Sequence, residues 1–334
     1  MIRAGACILG CEGHRLTTPE RDFFRAARPW GFILFARNVE DPAQLRALTA
    51  DLRDAVGRDA PVFIDQEGGR VARLRPPYWR GWLPPLDQVR RTRRHAARAM
   101  YLRYRLIADE LRAVGIDGNC APVVDIARPD THPFLKNRCY GDDVVHVADI
   151  AGAVASALVD GGVLPVMKHI PGHGHATGDS HESLPRVQEK IKALKTSDFL
   201  AFEAVAALPI AMTAHVVYEA LDPDNPATTS PGVIAMIRDG IGFGGLLVSD
   251  DISMGALSGP VAARARAALG AGCDMVLHCN GDLAEMRAVT EAAGPLSEAA
   301  RARAVAALAW RRAPGAIDIA ALEAEFHDLM TGRA

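Results

Sequence analysis

The chain has 334 residues, of which 49% are hydrophobic and 23% are charged, and this balance predicts a globular protein with a substantial core. Its 38 basic and 40 acidic residues give a formal net charge of −2, so no excess of positive charge is present to hold a phosphate backbone, and nucleic acid is not predicted as a partner. No stretch reaches the roughly 18 uninterrupted apolar residues of a membrane span.

Eight short apolar or β-branched runs recur along the chain, and longer stretches with helical periodicity lie between them. The runs cover residues 5–11, 31–36, 62–66, 121–125, 164–169, 210–215, 246–250 and 273–278. The helical stretches cover residues 42–56, 95–114, 145–160, 188–207, 232–240 and 260–269.

This alternation favours a single-domain α/β protein with a closed (β/α)8 TIM barrel, because near-continuous apolar strands are typical of a parallel sheet covered on both faces. The alternative is a doubly wound open sheet, but no glycine-rich dinucleotide fingerprint follows the first run. The Ala-rich segment 296–330 predicts two closing helices. Without a linker or a shift in composition, residues 1–334 are expected to form one catalytic domain.

The first run needs a second interpretation, because the sequence from Ile8 to Cys11 resembles a lipoprotein cleavage site. The apolar segment before Cys11 is short and only one basic residue precedes it, so we interpret it as a strand and expect a cytoplasmic protein.

The six cysteines show no repeated close spacing, which predicts buried reduced thiols rather than disulfides or a zinc site. The basic cluster from Arg90 to Arg94 is interpreted as a solvated helix start.

Five of the eight runs end in polar or charged residues. Because the active sites of (β/α)8 barrels lie where the strands end, these side chains are expected to converge on one face. The strand ends are Asp65-Gln66-Glu67, Asp125, Lys168-His169, His215 and Ser249-Asp250-Asp251.

Asp250 closes an apolar run, so its carboxylate should project into the barrel mouth. A carboxylate held there can attack an anomeric carbon or stabilise an oxocarbenium-like transition state. Asp251 is expected to face elsewhere.

The segment 163–185 includes the fifth run and the loop after it, and it holds four of the eleven histidines. Within it, Asp179-Ser180-His181 can supply the proton transfer that a second carboxyl group supplies in most glycosidases. A histidine gives and takes protons near neutral pH, and a neighbouring aspartate orients the ring and supports its imidazolium form.

Charged side chains elsewhere suit a polyhydroxylated ligand. Lys168, Arg73 and Arg138 are donors for ring hydroxyls, and Asp65 is an acceptor for two adjacent hydroxyls. Two other chemistries stay open: His173, His175 and Asp250 as ligands of a hydrolytic metal ion, and a Schiff base on a desolvated Lys168.

The sequence KHIPGHGHATGDSHESLP at residues 168–185 resembles the signature of glycoside hydrolase family 3 β-N-acetylglucosaminidases (β-N-acetylhexosaminidases). The similarity extends over nearly the whole chain. It includes GFILFARN at 31–38, IDQEGGRVARL at 64–74, APVVD at 121–125, MTAHV at 212–216 and SDDISM at 249–254.

The resemblance implies a retaining exo-hydrolase that removes terminal β-linked N-acetylglucosamine through a glycosyl-enzyme intermediate on Asp250. It implies that His181 is the general acid/base, supported by Asp179. It implies sugar binding by Asp65, Arg73, Arg138, Lys168 and His169, with no metal and no organic cofactor. In compact bacterial members the substrates are GlcNAc-1,6-anhydroMurNAc-peptides, and the role is cytoplasmic recycling of peptidoglycan.

The chain departs from the family pattern at a few positions. Ile170 stands where Phe is common and His175 where Asp is frequent, and Cys139 and Tyr140 replace the usual Ser and Phe beside Arg138. We expect no second domain of the kind that many relatives have, and therefore no carboxylate acid/base supplied by it, which favours His181 in that role.

Alternative functions on the same site are a β-N-acetylglucosaminide phosphorylase, a broader β-glycosidase and a catalytically silent barrel that senses muropeptides. The nucleophile and the Asp-His dyad argue against the sensor, since binding alone needs neither. The expected partner is a small carbohydrate substrate, with no nucleic acid and no membrane, and the expected state is a monomer.

Overall fold

The computed structural model describes residues 4–178, 180 and 183–333. Eight parallel strands form a closed barrel in which each strand pairs with the next along the chain and the last pairs with the first. The prediction of a (β/α)8 barrel is confirmed, and the open-sheet alternative is wrong. The barrel strands are β1 (Gly5–Leu9), β2 (Pro29–Leu34), β3 (Val62–Ile64), β4 (Gly118–Asn119), β5 (Leu164–Ile170), β6 (Ile210–Thr213), β7 (Leu246–Asp251) and β8 (Met275–His278).

Helices surround the barrel. Within the described residues they are α1 (Thr18–Ala27), α2 (Pro42–Val56), α3 (Pro85–Thr92), α4 (Ala96–Ala113), α5 (Pro133–Lys136), α6 (Val144–Asp160), α7 (Ile191–Lys195), α8 (Asp198–Glu203), α9 (Pro231–Ala235), α10 (Val261–Ala271), α11 (Leu283–Ala293), α12 (Glu298–Leu308) and α13 (Ile319–Thr331). None of them is both long enough and apolar enough to cross a membrane.

Helix α2 has the bounds predicted from the sequence, because both of its ends carry strong signals. The Asp41 side chain accepts hydrogen bonds from the backbone amides of Ala43 and Gln44, and Pro42 occupies the first turn, where a missing N–H costs nothing. Gly57 ends the helix at a left-handed φ of 64°, which glycine adopts without a steric penalty.

The predicted helix at 188–207 is instead divided into α7 and α8. Between them, the hydroxyl groups of Thr196 and Ser197 donate hydrogen bonds to the carbonyl oxygen of Ala193. Side chains that bond to nearby backbone in this way compete with helix continuation.

The fourth strand also differs from the prediction, since regular pairing covers Gly118–Asn119 rather than 121–125. Pro122 has no N–H to donate, which interrupts a regular ladder. The segment still runs beside β5: the Val166 amide donates to the carbonyl of Ala121 at 2.9 Å, and the Val124 amide donates to the carbonyl of Lys168 at 2.8 Å. This pairing carries Asp125 to the carboxyl end of the barrel.

An apolar cluster fills the barrel interior, with Trp30 stacked on Phe63 at 5.9 Å between ring centroids. Buried alanines of α12, including Ala300 and Ala304, belong to the same cluster and cover the end at which the strands begin. Helix α13 packs instead on α3 and α4. The segment 296–330 thus holds two helices, but only the first of them closes the bottom of the barrel, whereas two closing helices were expected. All six cysteines are buried and free.

Candidate active site

A cavity of about 220 Å³ opens at the carboxyl ends of the strands. It is smaller than the roughly 300–1,000 Å³ of sites for drug-sized ligands and therefore suits one ring-sized group. The structure brings six of the predicted site residues to its walls: Asp65, Arg73, Arg138, Lys168, His169 and Asp250.

Asp65 and Lys168 form an ion pair across the mouth of the barrel. The Lys168 ammonium donates to Oδ1 of Asp65 at 2.8 Å, and the Arg73 guanidinium donates to Oδ2 at 3.0 Å. Burial alone would raise the pKa of Asp65, but the charges of Lys168 and Arg73 outweigh it and lower that pKa. Asp65 is therefore a carboxylate throughout the physiological range.

Glu67 was among the predicted polar strand ends, but the sequence-based assignment gave it no role in the site. Its fully buried carboxylate accepts two hydrogen bonds from Arg138, both at 2.8 Å, and lies 2.6 Å from Nζ of Lys168. Burial opposes ionisation, but Arg138 and Lys168 lower the pKa of Glu67 to about 2. A signal was present, since Asp65 and Glu67 are two residues apart and such residues share a face in an extended chain.

These contacts decide against the Schiff-base alternative. Lys168 is 2% exposed, and burial would lower its pKa, but Asp65 and Glu67 more than offset this and raise it. A Schiff-base lysine must be available as a neutral amine, whereas Lys168 is held as an ammonium between two carboxylates.

Asp125 fixes the orientation of the His169 ring through a hydrogen bond to Nδ1. The Nδ1 of His169 donates to Oδ2 of Asp125 at 2.7 Å, and the backbone amide of His173 donates to Oδ1 of the same carboxylate at 2.7 Å. Burial opposes ionisation of Asp125, but His169 and His173 lower its pKa. The anchored Nδ1 leaves Nε2 as the His169 nitrogen available to a ligand.

Asp250 and Asp251 have different surroundings. Burial would raise the pKa of Asp250, but His169 and His215 lower it, so this cavity-lining carboxylate is anionic. Asp251 also borders the cavity, contrary to the expectation that it faces elsewhere, but its carboxylate accepts from the Ser253 hydroxyl at 2.7 Å and from the Cys279 backbone amide at 3.2 Å. Asp250 is thus the carboxylate available for chemistry, and Asp251 stabilises the loop after β7.

His215 and His173 are buried histidines with different roles. Both ring nitrogens of His215 are used, Nδ1 with the Thr228 hydroxyl at 2.7 Å and Nε2 with the carbonyl of Asp251 at 2.9 Å. His215 therefore ties the ends of β6 and β7 together. His173 lines the cavity, and burial lowers its pKa to about 4, so it is neutral near pH 7.

The predicted alternative metal ligands are not brought together. His175 does not line the cavity with His173 and Asp250; its Nε2 lies 3.2 Å from Asp198. The buried Asp198 carboxylate also pairs with Arg128 at 2.8 Å. This cluster connects the segment after β5 to the loop after β4 and to α8.

The two members of the predicted proton-transfer pair, Asp179 and His181, lie outside the described residues. Ser180, between them in the sequence, lines the cavity, and its hydroxyl lies 3.4 Å from Nε2 of His173.

An anionic carboxylate beside a ring-sized cavity, rimmed by fixed hydrogen-bond donors and acceptors at the carboxyl ends of a barrel, defines a (β/α)8 enzyme that acts on a small polar substrate. Within this class, residues 26–308 match the Glycosyl hydrolase family 3 N terminal domain. The chain belongs to glycosyl hydrolase family 3 and is a hydrolase.

Relatives and solved structures agree with this assignment. The chain is 40% identical over 290 residues to a β-hexosaminidase of Alkalilimnicola ehrlichii, covering 83% of this chain and 81% of the relative. A β-hexosaminidase of Pseudomonas aeruginosa is 36% identical over 279 residues, with 83% and 82% covered. NagZ from Neisseria gonorrhoeae, solved in complex with N-trifluoroacetyl-D-glucosamine, is 29% identical with a TM-score of 0.84, over 99% of this chain and 97% of that chain. A family 3 β-N-acetylglucosaminidase from a Paenibacillus species is 27% identical with a TM-score of 0.87, over 97% of this chain and 67% of that chain.

Proposed function

We propose that this protein is a retaining exo-β-N-acetylglucosaminidase that removes terminal β-linked N-acetylglucosamine, with Asp250 as its nucleophile. The observation that carries the proposal is the anionic Asp250 carboxylate in a cavity sized for one ring. The β-hexosaminidase names of the relatives and the glucosamine derivative bound to the gonococcal NagZ support the choice of sugar.

The reaction proceeds in two displacements. In the first, an Asp250 oxygen bonds to the anomeric carbon as the bond to the leaving oxygen breaks, and His181 donates a proton to that oxygen. In the second, His181 takes a proton from water, and the water oxygen displaces Asp250. Asp179 supports the imidazolium form of His181 between the two steps. Two inversions at one carbon give net retention.

Sugar hydroxyls are bound by Asp65, Arg73, Arg138, Lys168 and His169. The ion pairs of the site leave donors for this purpose. Lys168 uses two of its three N–H groups on Asp65 and Glu67, and Arg138 binds Glu67 through Nε and Nη2, so each keeps donor capacity for a ligand. Because these donors are already fixed, little conformational entropy is lost when the sugar binds.

The proposed substrates are GlcNAc-1,6-anhydroMurNAc-peptides, and the proposed role is recycling of peptidoglycan in the cytoplasm. We also propose that residues 1–334 form one catalytic domain and act as a monomer. The substrate enters with its terminal N-acetylglucosamine first and its leaving group towards the opening, because the cavity accommodates one ring.

A fluorinated N-acetylglucosamine analogue tests the central claim, since it slows the second displacement and traps the glycosyl-enzyme. After digestion, mass spectrometry is expected to locate the added sugar on the peptide that contains Asp250. The Asp250→Asn variant, treated in parallel, should carry no label. A label on another residue, or turnover without any covalent species, would refute the assignment of the nucleophile.

A further inference from the structure

A second, larger cleft lies on the surface beside the active site. Its volume is about 520 Å³, and its lining is rich in basic side chains. They come from the end of α3 and the turn that follows it, from the segment between β4 and α6, and from the start of α6. The basic lining residues are Arg90, Arg93, Arg94, Arg128, Lys136 and His146.

The arginine cluster is exposed, as the sequence-based interpretation of a solvated helix start expected, but it begins earlier, because Arg90 lies in the last turn of α3 and Arg93 begins the 3-10 turn that leads into α4. A cation in the last turn of a helix interacts favourably with the helix dipole, which accounts for Arg90. It does not account for Arg93 and Arg94, which lie beyond the helix. Arg93 adopts a φ of 50°, a conformation that non-glycine residues rarely adopt and that is costly to maintain.

Arg128 is paired with the Asp198 carboxylate, but the three arginines at the end of α3 and in the turn after it carry positive charge that is not compensated. Within the described part of the chain, the guanidinium groups of Arg90, Arg93 and Arg94 make no hydrogen bond and no ion pair, and Asp142 is the one acidic side chain on the cleft walls. The whole chain has a net charge of −2. The local excess of cations is therefore a property of this surface and creates a field that attracts anions.

The cleft is not uniformly polar, since Leu86 and Val89 contribute buried apolar side chains to it. An apolar wall with cations along the rim matches a ligand that has short aliphatic groups and several carboxylates, as an acidic peptide has. A polyphosphate or nucleic acid would leave the apolar wall unused.

One chain segment separates this cleft from the catalytic cavity. Between residues 127 and 141, Phe134 and Arg138 line the cavity, whereas Arg128, Lys136 and Gly141 line the cleft. A ligand that extends from the cavity over this segment reaches the basic rim.

We propose that the basic cleft binds an acidic peptide that carries two or more carboxylates, and that in the proposed reaction this peptide is the one attached to the leaving group of the substrate. The second part rests on the proposed function. The expected effect of the cleft is on KM, because the peptide lies far from the bond that breaks and contributes equally to the ground state and the transition state.

The test compares three substrates: an aryl β-N-acetylglucosaminide, the disaccharide GlcNAc-1,6-anhydroMurNAc, and the same disaccharide carrying an acidic tripeptide. The cleft variant is Arg90→Ala/Arg94→Ala, which leaves the strained Arg93 in place. The control is Arg46→Ala/Arg266→Ala, which removes the same charge from two exposed arginines outside the cleft. The measured quantity is the ratio of KM values for the peptide-free and the peptide-bearing disaccharide. In parallel, calorimetry measures the binding of free triglutamate.

In the cleft variant, the KM ratio that expresses the preference for the peptide-bearing disaccharide is expected to fall about fivefold, because two exposed charge pairs, each weakened by solvent screening, are lost, while the control keeps the wild-type ratio. If the KM ratio is unchanged but the cleft variant binds triglutamate more weakly, the cleft does bind an acidic peptide. That peptide is then a free one, and its assignment to the leaving group of the substrate is overturned. An unchanged ratio with unchanged or undetectable triglutamate binding overturns the proposal. If the wild-type protein turns over none of the three substrates, the proposed function fails, and calorimetry alone then decides on the cleft.

Discussion

Asp125 accepts a hydrogen bond from Nδ1 of His169 at 2.7 Å, so a buried carboxylate on the segment after β4 fixes the ring orientation of a cavity-lining histidine on β5. The same carboxylate receives the backbone amide of His173. Asp125 therefore acts on a ligand through its neighbours and is a positioning residue.

We predict that Asp125→Asn lowers kcat/KM for an aryl N-acetylglucosaminide by about 10- to 100-fold, the effect of a lost hydrogen bond to a charged group. The amide can present its NH2 group to Nδ1, which favours the other tautomer of His169 and changes Nε2 at the cavity from an acceptor into a donor. Steady-state kinetics over a range of pH measures this loss. Asp130→Asn, on the exposed part of the same loop, is the control and should leave kcat/KM unchanged.

The adjacent residues Asp250 and Asp251 give a second, paired prediction. Asp250→Asn should reduce hydrolysis by about 10³-fold or more with little change in stability, because it removes the proposed nucleophile. Asp251→Ala should lower the free energy of unfolding by about 1–3 kcal/mol, because the Ser253 and Cys279 donors lose their acceptor. Denaturant titration and kinetics on both variants separate the two effects. Activity retained in Asp250→Asn would remove this residue from the mechanism.

Glu67 is expected to stabilise the folded protein as well as to hold Arg138 and Lys168 in the site. Glu67→Gln leaves Arg138 and Lys168 buried without full charge compensation, which we predict costs about 3–5 kcal/mol in the free energy of unfolding. Glu325→Gln breaks the exposed pair with Arg98 and should cost less than about 1 kcal/mol. Equal losses of unfolding free energy in Glu67→Gln and Glu325→Gln would contradict the argument that burial makes the loss of the Glu67 charge more costly.

The lowered pKa of Glu67 also predicts how the effect of Glu67→Gln on the free energy of unfolding depends on pH. The pKa of Glu67 is lowered from its ordinary value of 4.5 to about 2, so its ionised form contributes stability that is fully present above pH 4.5. That contribution is lost as the pH falls towards 2. The difference in unfolding free energy between the wild-type protein and Glu67→Gln should therefore narrow on acidification. Denaturant titrations from about pH 6 to about pH 3 measure it, and a constant difference would show that Glu67 is not held ionised.

His181→Ala separates proton donation from nucleophilic attack. An activated aryl leaving group needs little protonation, so its hydrolysis should lose less rate than hydrolysis of a disaccharide substrate. The ratio of the two rate losses is the measured quantity. Equal losses with both leaving groups would argue against an acid role for His181.

Local sequence patterns were sufficient for the barrel and for much of the site. Apolar runs that end in Asp65, Lys168 and Asp250 predicted that these side chains meet, because the geometry of a parallel barrel puts all strand ends on one face. The bounds of α2 were predictable because its capping residues are adjacent to it in the sequence.

The partners of other strand-end residues depend on contacts that no local pattern contains. Glu67 is defined by its pairing with Arg138, 71 positions away, and Asp125 by its bond to His169, 44 positions away. The fourth strand was misplaced because the apolar run at 121–125 contains Pro122, whose missing donor shifts regular pairing towards Gly118. The basic cleft combines arginines near residue 90 with a segment near residue 130, and the sequence gives no indication that the two lie side by side.

The filled interior of the barrel has a further consequence for turnover. Ile33, Met212 and Leu277 belong both to the cavity wall and to the apolar cluster that α12 closes from below, so the cavity has an apolar floor. In the proposed reaction the leaving group, bound nearer the opening, must depart before the sugar beneath it can. The freed N-acetylglucosamine then occupies the position in which the terminal sugar of the next substrate molecule must bind. Accumulating product thus competes directly with substrate, and the catalytic rate responds to the size of the product pool without a separate regulatory site.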